Sequence, residues 1–451
     1  MKKKRKNKMP DTIQILRSSR GLPVTDTVSR LIGESKYDRV VYGWHVDPSV
    51  SDPTQAVTYL ADAVGMTPAA MGAESFSYGS WENAFFMPKP CMLRYDGTVA
   101  YYLDPNDYSK KLDGTPSDIT DPDFEGNVMM EWPLIWYKFT AGMAAGEGDF
   151  YVSNIRADNS YHCWCNYDAN GRIIKHFYTS AYFTSGTGKM RSLSGVQLTV
   201  SNGSGDTTAA QEIERALANN TTAAAEWYTS VYCDRMLINA LLILISRSLD
   251  TQRKFGRGFV DYHSTATDPD LNRDAKERFV TGVYDDKGLF WGSTSSGKYA
   301  VKVFGIENWW GLMWNRTAGF IEDSSRHYRT KLTYSTADGT AYVGYNADGT
   351  GYKDNGISAS STDTKSWIIS CKFTETGFFP ANLTENGASL DSIGYNGMYF
   401  GAQSGSCGYV TFGASDDAIY NCGAATLALD ANAQVSAWSI STMLSCKPLW
   451  R

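Results

Sequence analysis

The stretch Val303 to Phe320, VFGIENWWGLMWNRTAGF, restricts what this chain can fold into more than any other. It sets Trp309, Trp310 and Trp314 around Gly305 and Gly311, with a single carboxylate at Glu307. Large aromatics bury the most area per residue, and each buried indole N–H needs an acceptor. Glycine lets the backbone turn where a Cβ would be strained. The run therefore reads as a core strand entering a tight, specified loop.

A chain of 451 residues has room for two or three domains around a sizeable core. Hydrophobic residues at 42% and charged residues at 20% are ordinary for a globular protein. The 28 tyrosines and 13 tryptophans favour aromatic strands and recognition surfaces, because Tyr supplies contact area at low entropic cost. A net charge of −6 argues against nucleic acid as a partner, since such proteins gather positive charge on one face. The opening MKKKRKNK is the exception and reads as a solvated tail. Residues 9–30 lack the apolar core of a secretory signal. The strongest apolar run, Met236 to Ile245, falls short of the roughly 20 residues that span a bilayer, so membrane insertion is not expected. Eight scattered cysteines in so long a chain do not make a disulfide scaffold and read mostly as buried small hydrophobes.

Three segments are expected: an attachment arm at 1–36, a small β-rich domain at 37–123, and a larger domain at 124–451. Arg39 to Trp44 is strand-like, and RYDGTVAYY at 94–102 predicts a hairpin turning on Asp96-Gly97. Val128 to Phe139 reads as one apolar strand containing a proline, followed by strands at 150–152 and 173–182 with Asn170-Gly171 as a turn. A helix capped by 206–208 is expected over Ala209–Asn219, and a second over about Thr222–Leu249. In the second, Asp234, Arg235 and Arg247 lie off the apolar stripe. Two helices among many strands predict an α+β fold with helices on one face of a sheet. The near-repeat of 336–342 at 346–352 reads as consecutive turns of an inserted ribbon.

Between Asn386 and Cys446 there is no Lys, Arg, Glu, His or Pro, and the only charges are Asp391, Asp416, Asp417 and Asp430. Gly, Ala, Ser, Asn and Tyr dominate there, as in binding loops that combine adaptable hydrogen bonding with rigid aromatic contact. A buried β core of small residues would have the same composition.

Chemical motifs mostly fail on inspection. Gly292 to Lys298 has the spacing of a phosphate loop, but Tyr299 stands where Ser or Thr would hold magnesium, and a strand follows. Asp268, Asp270 and Asn272 open like a calcium loop, yet Arg273 replaces its glycine and Phe279 its bidentate Glu, leaving only an irregular ion site open. His162, Cys163 and Cys165 form the only local Cys/His cluster, without a second pair to complete a zinc site. No cofactor is expected.

Several landmarks occur in a fixed order: Glu131-Trp132-Pro133, Arg191 to Gly195, Asp234 to Asn239, Lys287 to Gly292, Gly305 to Gly319, and Leu444 to Leu449. In this order they resemble phage tail receptor-binding proteins that carry a C-type-lectin-like domain of the formylglycine-generating-enzyme type. Many of that family are diversified by retroelements. The resemblance covers most of 125–451 and implies a lectin-like domain at 124–451 whose variable region spans about 389–445. Variation at the two adenines of AAC-type codons can give Asn, Asp, Ser, Tyr, Gly, Ala, Cys, Ile or Leu but never Lys, Glu, Gln, Met or Trp. This fits the absence of Lys and Glu between Asn386 and Cys446 and makes Gln403, Gln434, Met398 and Trp438 scaffold positions. Carried over residue by residue, the ligand-binding patch would be Tyr395, Asn396, Tyr399, Tyr409, Asp416, Asp417, Tyr420, Asn421 and Leu427, with Trp438 and Cys446 as scaffold.

The family further implies a virion location at the tail tip or fibre. Its partners would be a protein or glycan receptor on the bacterial surface, other tail proteins through the amino-terminal region, and two further copies in a trimer. Leu312-Met313 and Asn315-Arg316 depart from the family pattern, and no cysteine pair matches the oxidising site of its enzyme branch. A non-enzymatic binder is therefore expected, with a structural baseplate component or an enzyme of the lectin-like superfamily as alternatives.

Overall fold

The computed structural model describes residues 39–449 except 74, 169, 187, 197, 199–206, 261–279, 333–350, 359–365, 385–394, 396–397, 401–407, 414–422, 430–434 and 437–439. The attachment arm, the calcium-like segment from Asp268 to Phe279 and nearly all of the ribbon repeat lie outside the described residues.

Among the described residues the structure is mostly β, with 39% strand, 10% helix and three α-helices. These are α1 (Ala209–Leu217), α2 (Tyr232–Ser246) and α3 (Thr251–Phe255). The expected α+β lectin-like arrangement, two helices on one face of a sheet, is therefore not what the chain adopts. Two local causes stand out. Ala225–Thr229, inside the second expected helix, is a strand, because Glu226-Trp227-Tyr228-Thr229 is rich in residues that suit a pleated surface and pairs with Leu444–Pro448. And α2 is buried on every side, Asp234 and Arg235 included, so it is a central helix with no solvent face. It touches strands of two different sheets, and its Ala240 carbonyl accepts from the Trp44 indole N–H at 3.0 Å.

The expected cap of α1 is present as a reciprocal box: Thr208 Oγ1 accepts from Gln211 N, and the Gln211 side chain accepts from Thr208 N. No helix among the described residues is long and apolar enough to cross a membrane.

Three sheets carry the fold. A four-stranded sheet runs Val57–Ala61, Val41–Val46, Gly148–Ser153, Trp136–Ala141. A seven-stranded sheet runs Ala225–Thr229, Leu444–Pro448, Phe177–Ser180, Gly126–Trp132, Lys89–Arg94, Val99–Asp104, Asp107–Lys111. The third and largest joins Lys353–Ser358, His327–Thr330, Trp314–Glu322, Gly408–Phe412, Leu427–Ala428, Met398–Phe400, Ser366–Thr374 and Gly377–Thr384, with Ile440–Ser441 parallel to 314–322.

Strands on either side of residue 123 share the first two sheets. Trp44 lies opposite Phe150, and Met92 opposite Val128. The apolar run at 128–139 divides at Pro133, which has no N–H to continue the ladder: 126–132 stays in the second sheet and 136–141 enters the first. The 94–102 hairpin forms as its sequence indicates, with Gly97 at φ +79°. Leu444–Pro448 is an interior strand that places Cys446 opposite both Tyr178 and Trp227, so the end of the chain closes the core.

Candidate functional site

The tryptophan loop is a brace between α2 and the carboxyl-terminal strands. Phe304, Asn308 and Leu312 have positive φ, as do Gly305 and Gly311, so the backbone doubles back repeatedly within nine residues. A Cβ on Gly311 would stand 2.5 Å from the Phe259 backbone nitrogen, so a larger residue there would force the two segments apart.

The two adjacent indoles both find acceptors. Trp310 Nε1 donates to the Gly256 carbonyl at 3.1 Å, and Trp309 Nε1 to Asn239 Oδ1 at 2.9 Å. Asn239 in turn donates through Nδ2 to the Ala424 carbonyl at 2.8 Å. One turn earlier on α2, the Arg235 guanidinium lies 3.9 Å from the Trp309 ring centre and 5.2 Å from that of Phe412, and donates to the Trp309 carbonyl at 2.6 Å. Arg235 and Asn239 stand at i and i+4 and so share one helix face. Gly311 N donates to the Gly413 carbonyl and Gly413 N to that of Thr426, each at 2.9 Å. The loop thereby fixes both 412–413 and 423–428, the two stretches that flank residues 414–422.

The expected patch residues fall into three groups. Asn396, Asp416, Asp417, Tyr420 and Asn421 lie outside the described residues. Tyr399 and Tyr409 are in strands 398–400 and 408–412, with Tyr399 opposite Leu427 in parallel register and Tyr409 opposite Ile321. Tyr395 and Leu427 are interior, at 2% and 4% exposure; Tyr395 stacks on Phe378 with ring centres 5.8 Å apart. These two can act on a ligand only by positioning what surrounds them. The sequence reading missed Arg235 and Asn239, whose i, i+4 spacing beside an aromatic cluster was the available signal.

Glu307 is an anchor rather than an exposed acid. Its two carboxylate oxygens accept from Gly282 N at 3.0 Å and Tyr284 N at 2.9 Å, and Lys302 Nζ donates to the Tyr284 carbonyl at 2.8 Å. Asp285, in the same turn, accepts from Ser194 and Tyr182. Burial, then the neighbouring Asp285, pushes the Glu307 carboxyl up to about 7, against the pull of Lys302. Because the folded value lies above the unfolded one, this group's stability contribution is full below about pH 4.5 and is lost as pH rises through about 7. In urea melts, the stability difference between wild type and Glu307→Gln should therefore shrink by on the order of 3 kcal/mol from about pH 5 to pH 8. A difference that does not vary with pH would remove this account. Lys302, which burial lowers to about 8, titrates at the upper end of that range, so the fall between about pH 5 and pH 7 belongs to Glu307.

The local His162–Cys163–Cys165 cluster splits apart. The His162 ring stacks on Trp164 with centres 4.5 Å apart, whereas Cys165 turns inward to Cys233 and Asp234 of α2. Those three donor atoms lie within 4.8 Å of one another and form the only grouping of possible metal ligands among the described residues. The Lys447 ammonium stands beside them: burial opposes its charge, but Cys233, Asp234 and Cys165 outweigh burial and raise it. A positive charge is thus already present where a cation would bind. The 292–298 segment is a loop whose ends pair through Trp291 and Lys302, and strand 302–303, not a helix, follows it. Set against family models and curated proteins, the chain matches no family model and no curated protein.

Proposed function

We propose that this protein is a phage tail or fibre-tip component that binds a receptor on the bacterial surface without performing chemistry. The observation that carries the reading is how the lysine-free carboxyl segment is built in. Strands 398–400, 408–412 and 427–428 belong to the largest sheet, and the tryptophan brace fixes 412–413 and 423–428. Asp416, Asp417, Tyr420 and Asn421 fall in the connection between these fixed points. A rigid frame around a connection that carries Asp416, Asp417, Tyr420 and Asn421 suits recognition, because sequence can change in the connection while the strands hold. On this reading the amino-terminal arm attaches the protein to the tail, and display of three copies raises weak single contacts to useful avidity. The receptor is a surface protein or glycan, and retroelement diversification accounts for the absence of Lys and Glu between Asn386 and Cys446.

The test is direct. Purified protein should bind host cells and compete with infection, and Asp416→Ala or Tyr420→Ala should weaken binding by about tenfold or more with the melting temperature unchanged. Failure of the wild-type protein to bind or compete would leave a structural tail component instead. Turnover of host-surface polymers by the protein would overturn the non-enzymatic part. A near-copy of the Ser389–Ser445 coding segment beside a reverse transcriptase gene is expected, and its absence would remove the retroelement part.

A further inference from the structure

Cys165 lies in the short 3-10 turn Trp164–Asn166, and Cys233 is the second residue of α2. Both are buried free thiols. Their sulfurs, with a carboxylate oxygen of Asp234, lie within 4.8 Å of one another, although 67 residues separate them in sequence. Polar groups surround the pair. Cys233 Sγ donates to Asp234 Oδ1 at 3.5 Å, and Ser445 Oγ to Asp234 Oδ2 at 3.1 Å. Tyr137 Oη is 3.6 Å from Cys165 Sγ, and the Lys447 ammonium faces the whole group.

We propose that Cys165 and Cys233 are a two-electron redox pair that closes to a disulfide when the protein meets a peroxide, pinning the 164–166 turn to α2. The arrangement fits thiol chemistry better than metal binding. Cys233 lies in the first turn of α2 with its S–H donated to Asp234 Oδ1, whereas the Lys447 ammonium beside the group repels a divalent metal. Asp234, which accepts the Cys233 S–H, is the base within reach of that sulfur. Cys165, within 4.8 Å of Cys233 and 3.6 Å from the Tyr137 hydroxyl, is the second partner.

The steps balance. Cys233 passes its proton to Asp234, and the thiolate sulfur attacks one oxygen of hydrogen peroxide. The O–O bond breaks, the departing hydroxide takes the proton from Asp234 and leaves as water, and Cys233 becomes a sulfenic acid. Cys165 sulfur then attacks the sulfenic sulfur; the S–S bond forms, the S–O bond breaks, and the hydroxyl leaves as a second water with the Cys165 proton. Two thiols and one peroxide give one disulfide and two waters, the sulfurs losing two electrons. Closure to an S–S bond of about 2.05 Å requires the side chains to approach by roughly 2–3 Å at most.

Cys91 and Cys446 provide an internal control. They lie in one sheet with strands 126–132 and 177–180 between theirs, so about 14 Å separates their strands. The full-length protein is treated with hydrogen peroxide, denatured, alkylated and digested without reductant. A peptide linking Cys165 to Cys233 is expected, sensitive to dithiothreitol and absent from Cys165→Ser and from Cys233→Ala, with Cys91 and Cys446 recovered alkylated. The linked form should melt at a higher temperature than the reduced one. Recovery of Cys165 and Cys233 alkylated to the same extent as Cys91 would overturn the proposal. So would oxidation of Cys233 to sulfinic acid with no link, or one equivalent of zinc that binds and shields both thiols. Should either variant fail to fold, the mass of the wild-type linked peptide before and after reduction decides alone.

Discussion

Trp310→Ala is expected to lower the stability of the fold by about 3–5 kcal/mol, the range for removing a fully buried large aromatic. Trp310 has no exposed surface, donates its indole N–H to Gly256 and meets the edge of Phe255 at 6.4 Å between ring centres. Its loss opens a cavity between α3 and the loop and leaves the Gly256 carbonyl without this donor, so transfer and polar costs add. Thermal or urea unfolding followed by far-UV circular dichroism measures the effect. The contrast with the connection residues matters most: Asp416→Ala and Tyr420→Ala should leave the transition where it is. Equal destabilisation by all three would refute the division between a bracing loop and a replaceable connection.

Arg316 should be nearly as costly. Its guanidinium donates to Glu212 at 2.7 Å, to the Thr207 carbonyl at 3.2 Å and to the Val435 carbonyl at 2.6 Å, with both charged partners buried. It thereby joins strand 314–322, the first turn of α1 and the carboxyl-terminal segment. Arg316→Met is expected to cost about 3–5 kcal/mol, because Glu212 stays buried without its counter-charge. Burial raises the Glu212 carboxyl and Arg316 opposes that rise. Without the arginine, Glu212 should take up a proton more readily, so the penalty should shrink as pH falls. The double variant Arg316→Met/Glu212→Leu should recover most of the loss, since an apolar pair of similar volume avoids desolvating either ion. A double variant no more stable than Arg316→Met would show that the carbonyl contacts, not the ion pair, hold this junction.

These two residues show how differently the sequence exposes its contents. Trp310 was legible at once, because three indoles around two glycines admit little besides a packed loop. The hairpin at Asp96-Gly97 and the cap of α1 were legible for the same reason: turn and cap chemistry acts over three or four residues. Arg316 appeared only as a departure from a family pattern. Its partner lies 104 residues earlier, and no local rule brings them together.

Long-range pairing accounts for the misreadings as well. Residues 225–229 carry a pattern compatible with helix, but the strand 444–448 arrives to pair with them. The apolar stripe of α2 suggested one solvent face, yet sheets surround it and Arg235 and Asn239 turn inward to Trp309. Strands 41–46 and 89–94 likewise find partners at 148–153 and 126–132, pairings that no local rule announces.

By itself, then, the sequence determined the tight tryptophan loop, the caps and turns, and the unusual composition after Asn386, since each depends on residues close in the chain. Only the tertiary structure decided that the chain is mostly β with a buried central helix, that Glu307 anchors a turn, and that Cys165 faces Cys233. Those outcomes depend on which segments far apart in the chain meet, and on burial, which turns an exposed charge or thiol into a partnered one.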